Sequence, residues 1–137
     1  AGLGEGSMKL RWIAALAVGA AFCAAPLHAH HGVAAYDMTV MTSLKGTVRE
    51  FDWANPHATI WFDAPDDKGA MRKWEVETNS PNLLNRAGWT RDTVKPGAQM
   101  TIHGYKGKND APTMRLEKIV MPDGREITPA NVNASAR

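Results

Sequence analysis

Phe51-Asp52-Trp53-Ala54-Asn55-Pro56-His57-Ala58-Thr59-Ile60-Trp61-Phe62 is the stretch whose reading decides the fold. Four of the eight aromatic residues that follow residue 29 lie in it. Asn55-Pro56 is a turn dipeptide and divides it into two arms. In the second arm Ala58, Ile60 and Phe62 alternate with His57, Thr59 and Trp61, the period of a half-buried strand over 57–63. In the first, Leu44, Gly46 and Val48 share a phase while Phe51 and Trp53 take the other. A phase switch near Arg49-Glu50 predicts a bulge in a bent strand over 44–53.

Working outward, Ala64 to Gly69 is a Pro-, Asp- and Gly-rich hairpin turn. Met71 to Thr78 is a third strand, with Trp74 and Val76 inward and Lys73, Glu75 and Glu77 towards water. Asn79-Ser80-Pro81 is a helix start, a capping polar residue followed by proline at the first helical position. Leu83, Leu84 and Ala87 follow at helical spacing, Gly88 ends the helix, and Trp89 is expected to plug the core beneath it. Ala98, Met100, Ile102 and Gly104 alternate as a fourth strand. Met114 to Met121 is a fifth, with a phase switch around Glu117-Lys118, and a turn at Pro122-Asp123-Gly124 leads into a short strand over 126–128. Three strands, a short helix and two further strands predict an all-β domain with one short helix. The expected form is a small OB-like five-stranded Greek-key barrel whose end the helix plugs. A sandwich or roll is the alternative.

The flanks divide differently. Residues 1–7 read as an expression scar or a mis-assigned start, and Met8 as the true one. Lys9 and Arg11 precede an apolar run from Trp12 to Ala25, and a small-residue site ends at Ala29. This is the pattern of a secretory signal over 8–29. The run is too short for a bilayer, which takes roughly 20 residues. Phe22 before Cys23 does not fit a lipidation site. Removing 29 of 137 residues leaves 108, enough for one core, and lowers the net charge from +2 to +1, because Lys9, Arg11 and Glu5 go with the leader. That balance gives no electrostatic case for nucleic acid, and the loss of Cys23 removes thiol chemistry and disulfides. The expected order is an N-terminal arm over 30–43, extended or an edge strand as far as Met41, the β domain over 44–128 and a disordered tail over 129–137.

Two sets of residues could carry function. Cleavage after Ala29 would free the amine of His30, which with its own imidazole or that of His31 can chelate a metal. His57 or His103 could complete a planar nitrogen set, the arrangement that suits Cu(II). No cluster spacing supports the set, and the competing expectation is a solvated terminus at His30 and His31, a turn cap at His57 and an exposed strand position at His103. The second set is aromatic. If Ala58, Ile60 and Phe62 fill the core, Thr59 and Trp61 face outward on the second strand, where OB-like folds bind ligands against stacking platforms. Trp53 and Tyr36 join them as candidate walls. The competing expectation is that the apolar arm, Val33 to Met41, covers Trp61, and that Trp53, Trp74 and Trp89 are core. The carboxylates read as turn or solvent residues. Ser43 and Ser80 lack a nucleophile's context.

Several segments carry a resemblance. His30-His31-Gly32 with Tyr36-Asp37, Leu44-Lys45-Gly46-Thr47-Val48, Trp53-Ala54-Asn55-Pro56-His57, Ser80-Pro81-Asn82-Leu83-Leu84 and Gly88-Trp89-Thr90 resemble a family of small exported bacterial proteins catalogued as a domain of unknown function. The resemblance spans residues 30 to about 127 and implies export and a compact β domain. It supplies no reaction and no catalytic residue. The expected function is a non-enzymatic periplasmic or secreted binding module, taking copper at the processed N-terminus. The alternative is a small ligand or a periplasmic protein held on an exposed aromatic face. No membrane span is expected in the mature chain.

Overall fold

The computed structural model describes residues 32–134. The expected leader and cleavage site, His30, His31 and residues 135–137 lie outside the described residues. A 3-10 turn, Val33–Ala35, leads into β1, Tyr36–Asp52. Then come β2, Thr59–Pro65, and β3, Met71–Glu77. Helix α1, Pro81–Arg86, separates them from β4, Gln99–Gly107, and β5, Thr113–Val120. A two-residue β6, Glu126–Ile127, completes the sheet. The strand order is β3-β2-β1-β4-β5-β6, antiparallel except that β3 also pairs with β5 in parallel. The domain is thus all-β with one short helix, and the short strand expected over 126–128 is β6.

The alternation read from the central stretch sets the core. Ala58, Ile60 and Phe62 are fully buried, and Trp74 and Val76 meet them from β3. Ile102, Met114 and Ile119 close the core from β4 and β5. β1 serves two neighbours in turn. Its first part pairs with β4, and from Thr47 it pairs with β2. The handover falls at Gly46, where a Cβ would lie 2.0 Å from the Asp63 carbonyl oxygen, so only glycine lets the backbones approach. The predicted bulge is there, with Arg49 left over between Val48 and Glu50. The second phase switch is also a bulge, because His103 pairs with Lys118 and Gly104 with Leu116, which leaves Glu117 unpaired.

At α1 the Ser80 hydroxyl faces the Leu83 amide at 3.5 Å, and Pro81 occupies the first turn. Gly88 takes the left-handed conformation (φ +88°) that ends the helix. Trp89 is buried as expected, and its indole donates to the Thr128 carbonyl at 2.8 Å. Leu83 departs from expectation. A two-turn helix has one narrow buried face, which Leu84 occupies, and Leu83 is 50% exposed.

The flanks of the domain are more tightly joined to it than the sequence reading had them. The arm or edge strand expected over 30–43 is strand from Tyr36 onward and runs on without a break into the first strand of the domain. Between Tyr36↔Gly107 and Met41↔Tyr105, β1 has more residues than β4 opposite it, and this irregularity hides the period. The arm does not cover Trp61, since its partner is β4. The tail expected to be disordered from Pro129 is docked as far as Val132, whose amide donates to the Ala87 carbonyl at 3.0 Å and whose side chain packs on the core.

Candidate binding face on strands β1, β2 and β3

Residues directly opposite in an antiparallel pair share a face. The register therefore builds a grid on the outer side of the sheet. Its rows are Asp52–Thr59–Glu77, Glu50–Trp61–Glu75 and Thr47–Asp63–Lys73. Trp61 sits at the centre, half-buried, between two carboxylates. The Lys73 ammonium lies over its ring, 4.4 Å from the centroid. An exposed contact of this kind contributes about 0.5–1 kcal/mol. The sequence reading had Trp61 and Thr59 outward, and the register brings them together. It did not foresee that Lys73, Glu50 and Glu75 would share the site, because that depends on strand register and not on period.

The carboxylates of this face differ in their commitments. Asp63 is paired with Arg49. Glu77 is the most heavily engaged. Its Oε2 accepts from the Tyr36 hydroxyl at 3.0 Å, and its Oε1 accepts from Arg115 Nη1 at 3.1 Å. His57 Nδ1 lies 3.3 Å from the same Oε1. Arg115 also donates to the Thr78 carbonyl and to Asn79 Oδ1, both at 2.7 Å. Glu77 is thereby a strut between β1, β3 and β5. Burial, then the charge of Glu77, holds the Tyr36 phenol well above its usual range. Glu50, Asp52 and Glu75 have no ion-pair partner among the described residues.

Of the candidate walls, Tyr36 is corrected, and Trp53 follows the competing expectation that it is core. Tyr36 is 5% exposed and bound to Glu77, so it pins the start of β1 and does not present a surface. Trp53 packs against the core and meets Phe51 edge-on at 5.4 Å. The Asn55–Pro56 peptide beside it is cis.

The described histidines do not share a partner. His57 is beside Glu77, whereas His103 Nδ1 is 2.7 Å from Ser43 Oγ across the β1–β4 pair. Burial, and next Lys118, depress the His103 pKa against an opposing effect of Glu126. Glu126 itself accepts from Lys118 at 2.7 Å. Ser43 and His103 thus form a hydrogen bond across the β1–β4 pair. No group of three or more His, Cys, Asp or Glu stands where it could hold a metal ion among the described residues. No helix among them is long and apolar enough to cross a membrane.

The model of a family of unknown function, DUF6152, matches residues 17–115. The chain belongs to that family. The DUF6152 match takes in β1 to β4 and the first residues of β5, and so the whole Trp61 grid and the Glu77 strut. No curated protein and no solved structure is significantly similar to the chain.

Proposed function

We propose that this DUF6152 chain is an exported, non-enzymatic binding module, an OB-like barrel that holds its partner on the outer face of β1, β2 and β3. The parallel β3–β5 pairing, which joins the two ends of the order β3-β2-β1-β4-β5, supports the barrel. One observation carries the binding reading. Trp61 is a large aromatic side chain left half-buried at the centre of an outer sheet face, with the exposed Lys73 across its ring. Aromatic residues at the middle of a patch, rimmed by polar groups, are where binding energy concentrates. The copper reading stands second. Its remaining donors are His30 and His31, since His57 neighbours Glu77 and His103 bonds Ser43.

Selection from a displayed library of extended peptides tests the reading. Wild-type protein should enrich sequences that Trp61→Ala does not bind and that Leu83→Ala binds unchanged. Enrichment that survives Trp61→Ala, or no enrichment at all, overturns it.

A further inference from the structure

We propose that the Trp61 face takes a cationic side chain, a lysine or arginine carried on an extended segment of a protein partner, onto the indole between Glu50 and Glu75. The inference rests on the reading of this face as a binding surface and adds the chemistry of what it binds.

Charge complementarity carries it. Glu50, Asp52 and Glu75 are exposed and have no cation partner among the described residues. Asp63 and Glu77, the other acids of the grid, are engaged by Arg49 and by Tyr36, Arg115 and His57. Lys73 is the grid's own cation, and it is already seated on the indole. Its position shows that a cation fits the ring with these carboxylates around it. Lys73 is exposed, so displacing it into water leaves no buried charge behind.

The spacing favours a chain over a single small amine. Neighbouring strands lie about 4.8 Å apart, so Glu50 and Glu75 flank Trp61 at about that distance on either side. Asp52 lies two residues along β1. Charges spread over several ångströms in this way can meet several cations held on one extended backbone, whose same-face side chains recur at about 6.6 Å, the spacing of Glu50 and Asp52 along β1. Lys73 is then an internal competitor that a partner's cation replaces.

The test uses the processed full chain and four probes. They are an acetylated, amidated peptide of alternating lysine and glycine, its glutamate and serine counterparts, and N-acetyl-lysine methylamide. The readouts are the Trp61 indole N–H resonance, assigned by its absence in Trp61→Phe, and the backbone amides of Thr59 and Glu75. The lysine peptide should shift these resonances saturably. Affinity should fall at least about tenfold in the double variant Glu50→Gln, Glu75→Gln and rise severalfold in Lys73→Ala. Glutamate or serine peptides that bind through Trp61 equally well would overturn the cation inference and leave the binding face standing. Equal affinity for the free lysine derivative would overturn the extended segment. Weaker binding in Lys73→Ala would overturn the competitor role. No shift at Trp61 from any probe would overturn the inference, and a failed peptide selection as well would remove the face itself.

Discussion

The Tyr36 hydroxyl donates to Glu77 Oε2 at 3.0 Å, joining residues 41 positions apart. Through this bond the first residue of β1 is tied to the last residue of β3, beside the parallel pairing of Glu77 with Arg115. The start of β1 is thereby drawn towards β3 at its Glu77 end, two residues along the strand from Glu75 beside Trp61.

Tyr36→Phe should lower stability by about 1–3 kcal/mol, because Glu77 keeps Arg115 but loses a donor. The same variant should flatten the alkaline limb. The folded Tyr36 pKa is raised above an unfolded value of about 10. Its contribution is therefore complete below about pH 10 and is lost as pH rises towards the folded value. Urea unfolding of both proteins between neutral and alkaline pH measures this. Parallel pH profiles would remove Tyr36 from the account.

His103 works in the opposite sense. Its folded pKa is depressed below an unfolded value of about 6.5. The neutral imidazole facing Ser43 stabilises the fold above that pH, and the contribution is lost as pH falls through the folded value. His103→Gln should lack this component. The lowered carboxyl groups of Asp37, Asp66 and Asp123 act only below about pH 4, so the two windows separate. Unfolding midpoints taken in steps across the mildly acidic range decide it, and an unchanged profile in the variant counts against the assignment.

Gly46→Ala should destabilise the domain by about 1–3 kcal/mol or more, since its Cβ cannot share space with the Asp63 carbonyl. Gly97→Ala is not a matching control, because Gly97 has a positive φ. Ala70→Gly, in the exposed hairpin, is a milder comparison. Thermal unfolding should rank Gly46→Ala far below both wild type and that variant.

Thr78→Val should be stabilising, by about 1 kcal/mol. Thr78 is 0% exposed and continues the inward row of Trp74 and Val76. Its hydroxyl has no hydrogen-bond partner among the described residues. Valine keeps the shape and removes the buried polar atom. A drop in the denaturation midpoint would show that the hydroxyl is satisfied after all.

Much of this fold is legible in local pattern. The turn at Asn55-Pro56 and the phases of Ile60 and Phe62 set the core. Ser80-Pro81 sets the helix start, and the phase switches at Arg49 and Glu117 mark both bulges. These features concern residues close in sequence. What could not be read depends on pairing across the chain. The Tyr36–Glu77 bond, the commitment of His57 to Glu77 and the docking of Val132 on Ala87 are long-range facts. So is the cation on Trp61. The alternation placed Trp61 outward and Lys73 towards water, but only the β2–β3 register sets Lys73 over the ring. The start of β1 could be read only as an arm or an edge strand for a different reason, because its irregularity against β4 breaks the period on which a strand is read.

The central claim is that the outer face around Trp61 meets a partner. Photo-crosslinking in the cell that makes the protein tests it most directly, with a benzophenone side chain at position 59 and, as control, at position 83. Thr59 borders Trp61 on this face, whereas Leu83 is exposed on α1. The account predicts a discrete adduct from position 59 that disappears when Trp61→Ala is added, and none from position 83. The absence of any adduct from position 59, or one that persists without Trp61, would contradict it.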